Sequence, residues 1–201
     1  MIKLGIMASG RGSNAEAIFQ ACRDGRLAAR GAIVVSNVAN AGVHEVARRF
    51  KIPSLHISRD QFKNGDEFAD ILIRTFQSYR VDLILLAGYM RKVPSALLKE
   101  WDHAVLNIHP ALLPKHGGKG MHGLRVHQAV IESGEWCTGV TVHFVDEEYD
   151  HGSALLQVGG IPVLKDDTAE ILAARVLEIE HQTYPKAVQL WIEMRNKYQK
   201  A

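Results

Sequence analysis

The stretch V-D-L-I-L-L-A, residues 81–87, constrains the fold more than any other. It is almost continuously apolar, and a strand without a polar face is one whose sheet is covered on both sides. Shorter apolar runs recur at Ile2–Met7, Gly31–Ser36, Pro53–Ser58 and Ala104–Ile108. Between them lie segments with apolar residues at helical spacing. One opens at Ser13 and places Ala17, Ile18, Ala21 and Cys22 on one face; others are Gly42–Phe50, Asp66–Tyr79 and a short one from Pro94 or Ser95. This βαβα order predicts an α/β chain built on an open, mostly parallel sheet with helices on both faces. In such sheets the ligand crevice lies at the carboxyl ends of the strands.

The second half departs from that rhythm. Residues 110–122 are rich in Pro, Gly, Lys and His and read as a long mobile loop, suited to a lid over substrate. Leu124–Ser133 looks helical. Gly139–Asp146 alternates cleanly, which predicts an antiparallel or half-exposed strand, and Ala154–Val163 predicts another. Asp167–Lys197 reads as one long amphipathic helix with a kink near Pro185.

Bulk numbers narrow the class of function. A chain of 201 residues, 47% apolar and 23% charged, suits one globular α/β domain. Lys and Arg total 24 against 22 Asp and Glu, a net charge of +2 that is too mild for a nucleic-acid or anionic-membrane binder. A small basic pocket for a phosphorylated metabolite remains compatible. Cys22 and Cys137 lack C-x-x-C spacing and read as buried free thiols in a reducing compartment. The start M-I-K-L-G-I-M-A-S-G has no signal-peptide pattern, and no apolar run approaches the ~20 residues that span a bilayer, so a cytoplasmic location is expected.

Three strand ends carry polar residues. The first strand runs into A-S-G-R-G-S-N, residues 8–14, a two-glycine turn leading straight into a helix. Helix N-termini present unpaired N–H groups to anions, and glycine lets the backbone approach them. The third glycine of the dinucleotide fingerprint is missing, and Ser36-Asn37 stands where its acid would be, which argues against NAD. A simpler reading has Ser13 cap the helix and Glu16 complete a capping box; the two readings are compatible. After the strongest strand, A-G-Y-M-R (87–91) offers Arg91 to an anion, or is an ordinary turn with a solvated Arg.

The neighbouring strand ends in L-N-I-H-P-A-L-L-P, residues 106–114. Residues two apart on a strand share a face, so Asn107 and His109 can enter one crevice, the amide to hold an oxyanion and the imidazole to move a proton. A satisfied core His beside a turn Asn is the plainer alternative. H-F-V-D-E-E-Y-D-H-G (143–152) ends a strand in acids, placing a carboxylate where it could orient an imidazole, or simply forming a solvated turn. His116, His122 and His127 fit no usual zinc spacing.

Taken with I-E-H-Q-T-Y-P (179–185), the segments G-R-G-S-N, A-G-Y-M-R, L-N-I-H-P-A-L-L-P and T-V-H-F-V-D-E-E-Y-D-H-G (141–152) resemble the glycinamide ribonucleotide formyltransferases, folate-dependent enzymes of purine synthesis. The match follows the family's order across nearly the whole chain. L-N-I-H-P-x-L-L-P is specific for folate-dependent formyl transfer but not for the acceptor, because methionyl-tRNA formyltransferase and formyltetrahydrofolate deformylase share it. The G-x-G-S-N turn with nothing ahead of it looks like the ribonucleotide enzyme, and 201 residues leave no room for the extra domain each of the other two would carry.

The resemblance implies a single-domain Rossmann-like formyltransferase fold over residues 1–201. The N-terminal half would hold the ribonucleotide phosphate, and the C-terminal half the folate cleft and catalytic turn. It assigns Gly12, Ser13 and Asn14 to the phosphate and Glu180 to the ribonucleotide. Met90, Arg91, Lys92 and Val93, with Asn107, Asp146, Glu147, Glu148, Tyr149 and Asp150, would line the folate cleft. Asn107, His109 and Asp150 form the implied catalytic set. Asn107 and protonated His109 would stabilise the oxyanion, and His109 would protonate the leaving folate nitrogen. Asp150 would keep His109 charged and help to remove the amine proton. The implied co-substrate is 10-formyltetrahydrofolate, with no metal, no nucleic acid or membrane partner, and a monomer or homodimer as the assembly. A deformylase-like hydrolase and an inert phosphate-binding module are the alternatives. Three departures from the family stand out. Lys63 is the only cation in Phe62–Phe68, where many members carry an Arg that meets folate. Residues 115–123 are longer than the usual loop. His151 replaces a small residue and could narrow the site or tune its pKa values.

Overall fold

The computed structural model describes residues 1–198, among which seven strands form one sheet with six α-helices around it. In chain order these are β1 (Ile2–Ala8), α1 (Ser13–Arg23), β2 (Ala29–Ser36), α2 (Val43–Arg49), β3 (Ser54–His56), α3 (Gly65–Ser78), β4 (Leu83–Leu86), α4 (Ser95–Glu100), β5 (Val105–His109), α5 (Leu124–Glu132), β6 (Cys137–Phe144), β7 (Ala154–Pro162) and α6 (Ala169–Tyr198). The strand order is β3-β2-β1-β4-β5-β6-β7. The pairs from β3 to β5 are parallel; β5–β6 and β6–β7 are antiparallel. The order reverses between β1 and β4, so the crevice of an open α/β sheet falls at their carboxyl ends.

The alternation of strand side chains divides the core between two faces. Leu4 and Ile6 of β1, Leu83 and Leu85 of β4 and Leu106 and Ile108 of β5 pack with Ile18, Phe19, Val188 and Trp191. Met7, Ile84, Leu86 and Val105 pack on the other side with Phe68, Leu72, Phe76, Leu97 and Trp101. β4 is buried at every position, as its unbroken apolar run predicts. Asn107 and His109 have the parity of Val105, so they leave the strand on the face of α3 and α4.

Boundaries move by a residue or two from the sequence expectation, and some local features change. Ser13 does not cap α1. The cap is Gly12, at φ 85°, with no side-chain cap bond, and the Glu16 carboxylate turns to Arg49 at 2.8 Å. Glycine is required at that position because a Cβ would lie 2.7 Å from the Val43 Cα as well as at positive φ. α6 runs unbroken through Pro185. Pro185 removes one N–H, whose acceptor would be the His181 carbonyl, and the turns on either side hold the helix together. Cys22 and Cys137 are free but half-buried rather than buried, and burial pushes the Cys22 thiol up to about 11. Among the described residues no helix is long and apolar enough to cross a membrane.

Candidate active site

A cavity of about 1030 Å³ opens at the carboxyl ends of β1, β4 and β5. At one end lies the N-terminus of α1. The Ser13 and Asn14 N–H groups belong to the first turn and have no intrahelical acceptor. Asn14 lines the cavity beside Arg11, whereas Gly12 and Ser13 do not line it. The buried Asn14 Nδ2 donates to Glu180 Oε2 at 2.8 Å, and Asn14 Oδ1 is buried without a partner among the described residues. Glu180 is only 7% exposed, and burial pushes its carboxyl up to about 7 against the opposing Asn14 bond. A neutral-to-anionic carboxyl and an unpaired amide oxygen are suited to hydroxyl and amine donors.

The middle of the cavity is built by β5 and β6. Their antiparallel register sets Asn107 opposite His143 and His109 opposite Thr141. Thr141 Oγ1 donates to the Ala111 carbonyl at 2.7 Å and accepts the Leu113 N–H at 3.1 Å, which turns the chain sharply after His109. Asn107 Nδ2 lies 3.1 Å from His143 Nε2 and donates to Asp150 Oδ1 at 3.4 Å. His143 Nδ1 donates to the Phe144 carbonyl at 2.8 Å, and its Nε2 also lies 3.6 Å from Asp150 Oδ1. His109 Nε2 donates to the His116 carbonyl at 2.8 Å, and its Nδ1 faces Asp150 Oδ2 at 3.6 Å. A carbonyl only accepts, so Nε2 keeps its hydrogen in both charge states and proton exchange belongs to Nδ1.

Charge in this cluster differs from the sequence expectation. Burial is the largest influence on His109, which is 3% exposed, and it holds the imidazole below its usual value. The nearby Asp150 charge and the His116 carbonyl act upward without prevailing, so Asp150 does not lift the His109 imidazole above its usual value. Asp150 itself is resisted by burial, but its contacts with His143, His109 and the Gly118 N–H lower its carboxyl overall. The result is a neutral imidazole beside a committed carboxylate.

The opposite wall carries the other expected residues. Met90, Arg91, Lys92 and Val93 line the cavity, as do Asp146, Glu147, Glu148, Tyr149 and Asp150. The Met90 N–H donates to Ser9 Oγ at 2.9 Å, and Ser9 donates to Asn37 Oδ1 at 2.6 Å, tying the 88–91 turn to the ends of β1 and β2. Tyr184 Oη, fully buried, lies 3.1 and 3.0 Å from the Leu86 and Leu106 carbonyls and pins the end of β4 to the first half of β5.

Several side chains fall elsewhere than the sequence suggested. A second cavity of about 410 Å³ shares Tyr89, Arg91, Lys92 and Val93 with the first, and its added cation is Arg59, not Lys63. Arg59 precedes the expected stretch by a short 3-10 turn, Arg59–Gln61, so linear alignment passes over it. His151 lies outside both cavities, three-quarters exposed and 3.9 Å from Glu148, and does not narrow the site. His122 and His127 line the main cavity, while His116 turns away to Glu135 at 3.2 Å. The loop read as mobile is tethered at 111, 113, 115, 116 and 118. His143 is the partner that sequence reading missed; only the β5–β6 register reveals it. Among the described residues no group of three His, Cys, Asp or Glu side chains is placed to hold a metal.

Comparison with known proteins gives a consistent result. The family described as Formyl transferase matches residues 2–188. The chain is 42% identical over 193 residues to the chloroplastic phosphoribosylglycinamide formyltransferase of Vigna unguiculata, covering 96% of this chain and 62% of that protein. It therefore spans less than two thirds of that relative's length. To the phosphoribosylglycinamide formyltransferase of Haemophilus influenzae it is 38% identical over 195 residues, covering 97% of this chain and 89% of the relative. The crystal structure of glycinamide ribonucleotide transformylase 1 from Symbiobacterium toebii superposes with a TM-score of 0.91 at 40% identity, covering 97% of this chain and 89% of that one.

Proposed function

The chain belongs to the formyl transferase family, and on that premise we propose that it moves the formyl group of 10-formyltetrahydrofolate to the amine of glycinamide ribonucleotide, a step of purine synthesis. The observation that carries this reading is a single cavity joining a helix N-terminus suited to phosphate with the Asn107, His109 and Asp150 cluster. The ribose phosphate sits against the start of α1 at Gly12, Ser13 and Asn14, where the Ser13 and Asn14 N–H groups have no intrahelical acceptor, and Glu180 takes a donor of the ribonucleotide. Folate occupies the wall formed by residues 90–93 and 146–150. Its acidic tail runs toward the second cavity, where Arg59 and Arg91 supply charge.

The chemistry follows from the tautomers. The substrate amine attacks the formyl carbon, and the carbonyl electron pair moves onto oxygen. Asn107 Nδ2 supplies a donor to that oxyanion by releasing its longer bond, the 3.4 Å contact to Asp150. The amine proton passes to Nδ1 of neutral His109, and the imidazolium formed is stabilised by Asp150 at 3.6 Å. The same proton then passes to the folate nitrogen as its bond to carbon breaks and the carbonyl re-forms. His109 returns neutral.

A formyl-transfer assay with both substrates, and with water as the competing acceptor, tests this reading. Formylated ribonucleotide and tetrahydrofolate are the expected products. Formate release that does not need the ribonucleotide would instead make the protein a hydrolase.

A further inference from the structure

Residues 116–118 touch both members of the proton-transfer pair. The His116 carbonyl accepts from His109 Nε2 at 2.8 Å, and the Gly118 N–H donates to Asp150 Oδ2 at 2.9 Å. We propose that His116, held by Glu135, is a positioning residue for the transfer: the pair anchors this backbone clamp and so fixes which nitrogen of His109 faces the reacting atoms. The role rests on the transferase reading above, in which His109 and Asp150 carry the proton.

The clamp does not hold itself. His116 sits at φ 55° and Gly118 at φ 98°. A left-handed conformation at a residue with a Cβ is strained and persists only where surrounding contacts enforce it. Gly117 packs so closely that an added Cβ would run into the Leu113 side chain and lie 3.2 Å from the Asp150 Cβ. The enforcing contact is the His116 ring, whose side chain is 14% exposed and whose Nε2 lies 3.2 Å from Glu135 Oε1. Glu135 belongs to the turn between α5 and β6, so it ties the loop to the body of the fold. Lys115 Nζ reaches the same carboxylate oxygen at 3.1 Å and keeps it charged and in place.

The consequence is chemical as well as structural. While the His116 carbonyl is in place, Nε2–H is the only tautomer of neutral His109 that satisfies both groups, and Nδ1 is free to exchange a proton. If the carbonyl swings away, the hydrogen is free to sit on Nδ1, and the nitrogen that faces Asp150 no longer accepts the amine proton.

The test compares wild type with Glu135→Ala, His116→Phe and the conservative Glu135→Gln. Tautomers are read by ring-nitrogen NMR of His109 in the unliganded protein, and steady-state kinetics by formyl transfer. The expected wild-type state is Nε2–H. Glu135→Ala and His116→Phe should give mixed tautomers and lower kcat about 10- to 100-fold with KM for both substrates retained. Glu135→Gln keeps an acceptor for the ring and should recover the single tautomer and most of the rate. An unchanged tautomer in both disruptive variants overturns the proposal, whether or not kcat falls. Because the NMR arm needs no substrate, it reads the clamp even if the wild type proves inactive in formyl transfer, which would overturn the transferase reading instead. Glu135 is partly exposed, so its variants report even where His116→Phe fails to fold.

Discussion

His109 is pulled in two directions, by burial toward the neutral ring and by Asp150 toward the charged one, and burial prevails. A relay through neutral His109 therefore loses activity as pH falls through an imidazole pKa that lies below the ordinary value. Asp150→Asn removes the charge that favours imidazolium, so the pKa drops further. The acid limb of the kcat profile should move to lower pH while kcat itself falls, by about 100-fold if Asp150 stabilises the transferred proton as argued. A profile whose acid limb stays in place would remove Asp150 from that role. His109→Ala should cost about 10²–10⁴-fold in kcat with the unfolding midpoint little changed, measured on the same preparations. Asn107 and His109 were legible from sequence because period-two spacing alone puts them on one face. His143 was not, because its role depends on which residue of β5 it meets across an antiparallel ladder. The acceptor for His109 was invisible for a stronger reason: it is a main-chain carbonyl, which no residue type announces.

Elements explain why the strand ends stay in register with the helix terminus. Tyr184 of α6 reaches the Leu86 carbonyl, at the end of β4, and the Leu106 carbonyl, one residue before Asn107. Tyr184→Phe leaves those buried acceptors without the hydroxyl and should cost about 1–3 kcal/mol in a urea unfolding titration. Amide exchange should quicken first around Leu86 and Leu106; uniform quickening across the sheet would mean that the hydroxyl serves general packing only. Gly12→Ala strains both the backbone, at φ 85°, and the approach of α1 to Val43. It should weaken ribonucleotide binding more than folate binding, because it displaces the N-terminus of α1 and leaves β5 and β6 alone; isothermal titration with each ligand separates the two. Most elements were readable because the parallel strands are short apolar runs between periodic helices. The helix cap was misread as Ser13, because S-x-x-E fits a capping box in any context. What decided the matter was the close packing of α2, a tertiary fact.

At the scale of the whole molecule, the site is built at the expense of stability, and two buried groups make that measurable. Burial raises Glu180 from 4.5 to about 7, with Asn14 opposing, and lowers His127 from 6.5 to about 4, with the His109 charge adding to the shift. Between 4.5 and about 7 the folded chain holds a proton on Glu180 that the unfolded chain has lost, so this group destabilises the fold as pH rises and its full cost is present above 7. Between 6.5 and about 4 the unfolded chain holds a proton on His127 that the folded chain refuses, so this group destabilises the fold as pH falls. The two slopes oppose one another across the shared window, and the wild-type stability curve should be flatter there than either group alone would make it. Glu180→Gln keeps an oxygen for Asn14 and removes the charge. It should stabilise the protein at pH 8 by up to about 3 kcal/mol, with the gain fading toward pH 4.5, while ribonucleotide binding is lost. His127→Gln should show the mirror image, neutral at pH 8 and protective at pH 5. Urea titrations of wild type and both variants at pH 8 and pH 5 decide the point. A Glu180→Gln gain that is equal at both pH values would mean that the variant repairs packing rather than removing a buried charge.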